Sequence, residues 1–183
     1  VVAAARAEDV AGDCDLLGGV AVVDAEAAHP PPVLVEAEAA EVPDFLTRFG
    51  LTRPYLLYVG RIERNKGCAS LFTYFKRFLE ETGAELDLVL AGKAAMEIPS
   101  HPRIRPIGFI SEDEKVAALR GALVLAMPSP FESLSVIALE AWKLGLPVLA
   151  NGRCAPLKGQ CLRSGGGLFY HAYDEFEAGL RLL

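Results

Sequence analysis

From Tyr55 onward the chain repeats one pattern: a short unbroken apolar run, a loop, then apolar residues at helical spacing. Tyr55–Val59 (YLLYV) reads as a strand buried on both faces. Cys68–Thr82 carries Leu71, Phe75, Phe78 and Leu79 at helical intervals before Gly83 ends it. Leu86–Ala91 (LDLVLA) is a second continuous run, as a parallel strand covered on both faces requires, and Ile104–Ile107 is a shorter third. Ser111-x-x-Glu114 is a capping box opening a helix that ends by Gly121. A strand at Leu123–Met127, a helix at Ser135–Leu144 ended by Gly145, a strand at Val148–Ala150 and a closing helix at Asp174–Leu183 complete the series. Such alternation predicts an α/β fold, a Rossmann-like doubly wound parallel sheet whose ligand site lies beyond the carboxyl ends of the strands.

Residues 1–50 differ in kind, being alanine-rich, acidic and broken by His29-Pro-Pro-Pro32. Val20–Val23 is expected as a strand and Val42–Phe49 as a short helix capped by Gly50. The whole stretch reads as an appendage or the stub of a preceding region, with residues 51–183 as the ligand-binding domain. The chain begins at Val1 without a methionine, as an excised fragment would. Asn151–Gly167, with Cys154, Cys161, three basic residues and the Gly165–Gly167 run, reads as a long loop that either walls a pocket or lies free on the surface.

Composition narrows the partners. A net charge of −6 and a pI near 5.1 disfavour nucleic acid or an anionic membrane as the main partner, so an anionic ligand must meet a local basic cluster. The four cysteines form no Cys-x-x-Cys pair, and reduced thiols in a cytoplasm are the simpler reading. His29, His101 and His171 lie too far apart in sequence to suggest a metal site. No apolar run reaches membrane-spanning length.

Two stretches carry chemistry. In Val59–Gly67 (VGRIERNKG), Gly60 allows a sharp turn after the first strand, while Arg61, Arg64 and Lys66 place positive charge at that strand's carboxyl end, just before a helix. A phosphate suits this loop, although neither a P-loop nor a Gly-x-Gly-x-x-Gly turn is present; a solvated loop is the plainer alternative. In Pro128–Trp142 (PSPFESLSVIALEAW), a strand gives way to a proline-broken turn holding Glu132, and Ser133 or Ser135 can cap the helix carrying Glu140. Backbone N–H groups at that helix start would make a second anion site, so that a pyrophosphate lies between the two loops, with Glu132 near a group attached to it and Glu140 accepting from paired hydroxyls. Read singly, Glu132 is a solvated loop charge and Glu140 an ion-pair partner of Lys143.

Together, GRIERNKG, the Glu-x7-Glu spacing of Glu132 and Glu140, and the following EAWKLGLPVLA resemble the C-terminal, donor-binding half of the retaining GT-B glycosyltransferases of the glycogen-synthase-like group. The resemblance runs from about Tyr55 to Leu183. It implies that residues 51–183 bind a nucleotide-diphosphate sugar, with Gly60 at the turn, Arg61 and Lys66 on the pyrophosphate, Glu132 facing the donor sugar and Glu140 on the ribose. The backbone amides of Ser133, Leu134 and Ser135 would meet the phosphates or sugar; many members have glycine where this chain has Ser133 and Ser135. It further implies retention at the donor carbon without a protein nucleophile, no metal or other cofactor, and an acceptor-binding N-terminal domain with no counterpart in these residues. The fragment alone would then bind a donor without transferring it. A cytoplasmic location follows, with the longer protein free to attach peripherally to a membrane. A non-catalytic nucleotide-sugar-binding regulatory module and a nucleotide-sugar epimerase of the same fold are the alternatives.

Overall fold

The computed structural model describes residues 41–183. Cys14, the expected strand at Val20–Val23, His29 and the proline run lie outside the described residues. Six strands, β1 (Tyr55–Val59), β2 (Asp87–Ala91), β3 (Ile104–Gly108), β4 (Val124–Met127), β5 (Val148–Asn151) and β6 (Gly167–Tyr170), form one sheet in the order β3-β2-β1-β4-β5-β6. Every pairing is parallel. Among the described residues six α-helices accompany them: α1 (Glu41–Phe49), α2 (Cys68–Thr82), α3 (Glu112–Gly121), α4 (Val136–Lys143), α5 (Ala155–Ser164) and α6 (Tyr173–Leu182).

The unbroken apolar runs follow from having helices on both faces. Successive strand residues point to opposite sides, so Leu57, Val89, Leu125 and Val148 enter one core with residues of α1, α3, α4 and α5. Their neighbours Leu56, Leu88, Val124 and Leu149 enter the other, beneath α2 and α6. Parallel register keeps the alternation in step, pairing Leu57 with both Val89 and Leu125, and Leu125 with Val148. The two cores differ in texture. On the α2/α6 side Phe72, Phe75, Phe78 and Phe176 fill the layer, each ring contributing roughly 1.5–3 kcal/mol by leaving water. On the other side Ala117, Ala118, Ala138 and Ala141 are buried, and these small residues let α3 and α4 lie close to the strands.

Local signals act where expected. Ser111 Oγ accepts from the Glu114 N–H at 3.2 Å, while the Glu114 carboxylate accepts from the Ser111 N–H at 2.8 Å, closing the capping box of α3. Helix α1 packs through Phe45 into the core shared with α3, and Arg48 pairs with Glu114. Residues 41–50, placed by composition with the appendage, therefore pack on the same body as the sheet. One expectation is overturned: Asn151–Gly167 is not a long loop. Pro156 in the first turn of α5 starts the helix, Leu157 and Cys161, one turn apart, face the core, and Gly165 caps its end. The glycine run then leads directly into β6, which pairs with β5 from Val148↔Gly167 to Asn151↔Tyr170.

Candidate functional site

The strand order reverses at β1 and β4: β1 continues into α2 beneath one face, β4 into α4 on the other. At such a switch point the two outgoing loops diverge and leave a crevice beyond the carboxyl ends of the strands. Those loops are residues 60–67 and 128–135, the two stretches singled out in the sequence.

A direct contact brings them together. Lys66 Nζ donates to Glu132 Oε1 at 2.8 Å, with the lysine 38% and the glutamate 18% exposed. At this exposure the pair contributes at most about 1 kcal/mol. Its importance lies in geometry, since it places an ammonium and a carboxylate side by side at the switch point. The approach of the loops depends on Gly67, whose φ is +73° and where a Cβ would lie 2.1 Å from the Pro128 carbonyl oxygen. Pro128 O also accepts from Asn151 Nδ2 at 2.9 Å, which ties in the loop after β5.

The remaining expected residues are distributed around this pair. Gly60 sits at the turn leaving β1 with its N–H donating to Ala91 O at 2.9 Å. Arg61 is largely exposed, 3.8 Å from Glu63, and its carbonyl accepts from the Tyr58 hydroxyl at 2.7 Å. Burial raises the pKa of that phenol and so keeps it a donor. Ser133 and Leu134 are exposed, while Ser135 is the buried N-cap of α4, its Oγ accepting from the Ala138 N–H at 3.4 Å. Of the two serines considered for the cap, Ser135 therefore fills the role. Glu140 stands in the second turn of α4, where its Oε1 accepts from Lys115 Nζ at 2.9 Å. The partner is thus Lys115 of α3, not Lys143 three residues along α4.

An open cleft of about 510 Å³ lies between Pro130–Ser133 and Arg153–Pro156. Cys154 borders it, buried, with its thiol donating to Glu132 O at 3.7 Å. Of the two alternatives for the segment holding Cys154, a pocket wall or a free surface loop, its first residues wall a cleft. Arg153 has no motif to single it out; its signal is position, since it follows β5 as the other candidates follow β1 and β4. Among the described residues no group of three or more His, Cys, Asp or Glu side chains is arranged to hold a metal ion, and no helix is long and apolar enough to cross a membrane.

Chemically, the site offers cationic side chains at one strand end and a carboxylate beside them, with a second carboxylate, Glu140, in the second turn of the helix that follows. Comparison with known proteins identifies the family and the fold. A 2-deoxystreptamine glucosyltransferase of Streptomyces kanamyceticus is 32% identical over 143 residues, 72% of this chain and 37% of its own length. An α-D-kanosaminyltransferase of the same organism is 28% identical over 63% of the chain and 32% of its own. The chain thus spans about a third of these relatives. Among solved structures, the sucrose-phosphate synthase of Thermosynechococcus elongatus superposes with a TM-score of 0.62 at 20% identity, covering 76% of this chain and 39% of that one. The lipopolysaccharide-biosynthesis glycosyltransferase WaaG gives 0.58 at 17% identity over 84% and 45%. The doubly wound sheet is accordingly that of a GT-B glycosyltransferase domain. Residues 44–174 match the model of the group 1 glycosyl transferases, and the chain belongs to that family.

Proposed function

We propose that residues 51–183 bind a nucleotide-diphosphate sugar in the β1/β4 crevice and form the donor half of a retaining glycosyltransferase. The observation that supports this reading is the Lys66–Glu132 contact at the switch point, an ammonium beside a carboxylate, as a pyrophosphate next to its attached sugar would require. Lys66 and Arg61 would take the pyrophosphate, assisted by backbone amides of Ser133, Leu134 and Ser135 and by the turn at Gly60. Glu132 would face the sugar and Glu140 the ribose.

In the reaction this implies, an acceptor hydroxyl oxygen bonds to the anomeric carbon as the bond from that carbon to the β-phosphate oxygen breaks. The acceptor's proton passes to a phosphate oxygen of the departing nucleoside diphosphate. With attack and departure on the same face, configuration is retained and no protein nucleophile is required. The chain's contribution is orientation and neutralisation of the charge that develops on the leaving group. We assign the acceptor site to residues beyond this domain, so the chain alone binds a donor without transferring it. The names glucosyltransferase and kanosaminyltransferase among the relatives make hexose conjugates the first donors to try.

The test is calorimetric titration of the chain with UDP, GDP and ADP and their hexose conjugates. Lys66→Ala should weaken whichever diphosphate binds by about tenfold or more, because a charge-assisted contact is worth roughly 1.5–3 kcal/mol. Glu132→Ala should weaken the sugar conjugates only. Binding that is indifferent to both substitutions would sink the assignment.

A further inference from the structure

Glu140 has a partner that its own helix does not supply. Lys115, in the first turn of α3, reaches across to α4 and donates to Glu140 Oε1 at 2.9 Å and to Glu112 Oε2 at 2.7 Å. Its side chain is only 16% exposed, low for a lysine, whose ammonium ordinarily reaches into water. Glu112 is 86% exposed and Glu140 35%, so of the two carboxylate partners of Lys115, Glu140 is the more shielded. Burial opposes the lysine's charge, but its bonds to Glu112 and Glu140 outweigh that and hold its pKa above the ordinary lysine value. The ammonium therefore stays charged throughout the neutral range.

Helices α3 and α4 lie on the same face of the sheet, and β3 and β4, which lead into them, flank the β2/β1 pair. Lys115 thus joins the first turn of α3 to the second turn of α4. A glutamate side chain has three rotatable bonds, and one asked to accept from two neighbouring hydroxyls at once must have its carboxylate plane fixed beforehand. With Oε1 held by the ammonium, Oε2 and the free lone pairs of Oε1 are the acceptors that a vicinal diol would meet.

We propose that Lys115 is a positioning residue for nucleotide recognition: it orients Glu140 and thereby sets the preference for a ligand with an intact ribose diol. The inference rests on the reading of Glu140 as the ribose-binding carboxylate. A plain tie between α3 and α4 would affect stability without changing which sugar the nucleotide carries, and this separates the two roles.

The experiment titrates the 183-residue chain with UDP, GDP and ADP, each against its 2′,3′-dideoxy analogue, and repeats the series on Lys115→Met, Lys115→Arg, Glu112→Gln and Glu140→Ala, with thermal melts to establish folding. The parent should favour the ribo form of the bound nucleotide by about tenfold or more, the scale of one charge-assisted contact. In Lys115→Met most of that preference should vanish while affinity for the dideoxy analogue holds. Lys115→Arg should restore it, and Glu112→Gln should leave it near the parent's value. A preference kept or increased in Lys115→Met, with Glu140→Ala abolishing it, overturns the role of Lys115 alone. A parent with no preference, a preference that survives Glu140→Ala, or no binding of any of the three nucleotides overturns the ribose reading of Glu140 and this inference with it.

Discussion

Lys66, Glu132, Lys115 and Glu140 show how a charged residue acquires a role from its partner. In sequence, Glu132 and Glu140 are two carboxylates eight positions apart, and the nearest cation to the second is Lys143. In space each is paired to a lysine from another element, 66 and 25 positions away. What lets the first pair form is the small size of Gly67. A methyl group there would meet the Pro128 carbonyl at 2.1 Å, whereas Gly83, also at positive φ, has open space where a Cβ would stand. Gly83→Ala should therefore cost only the conformational penalty of about 1–2 kcal/mol. Gly67→Ala should cost clearly more in urea unfolding and also weaken nucleotide binding, because backbone has to move. Equal losses for the two substitutions would show that the approach of the loops is not tight.

At the scale of elements, the sheet is held at its amino end by charge. Glu85, just before β2, bonds to Arg103 before β3 at 2.5 Å and to Arg53 before β1 at 2.8 Å. Arg103 reaches on to the buried Asp87 at 3.4 Å. Hydrogen bonds from Arg103 and then Arg53 pull the Glu85 carboxyl down to about 2. A depressed carboxyl stabilises the fold above its unfolded value of about 4.3, and that contribution disappears as pH falls from there through the folded value. Glu85→Gln should thus lower the urea midpoint at pH 7 and reduce the further loss between pH ~4.3 and pH ~2 relative to the parent. Parent and variant curves falling in parallel over that window would dismiss the clamp. The elements also mark where local pattern sufficed. The capping box of α3, the apolar stripe of α2 and the runs of β1 and β2 declare themselves. Helix α5 does not, because only Leu157 and Cys161 form its core-facing stripe, too few positions to mark a helical period. Pro156 and Gly165 bound it correctly, but their meaning emerges only once β5 and β6 are seen to pair on either side.

Across the whole molecule, two cores share one sheet. Phe176 of α6 is fully buried beneath one face, against Tyr74 and Tyr170, while the single tryptophan, Trp142 of α4, lies on the other, with its indole N–H donating to Gly166 O at 2.7 Å. Because each strand contributes to both layers, a cavity on one side should be felt on the other. Phe176→Ala should lower stability by about 3–5 kcal/mol and shift the Trp142 fluorescence transition together with the far-ultraviolet dichroism. A fluorescence midpoint that stays in place would mean that the faces unfold separately. By itself, the sequence determined the α/β class, the parallel sheet and the two loops that flank its switch point, because burial on both faces demands unbroken apolar runs and helix ends demand caps, both local requirements. The tertiary structure alone decided that Glu132 meets Lys66, that Glu140 meets Lys115, that Arg153 and Cys154 border the cleft and that α5 and β6 complete the sheet. Those facts depend on strand order, which brings distant segments together at the β1/β4 reversal and leaves no periodic trace along the chain.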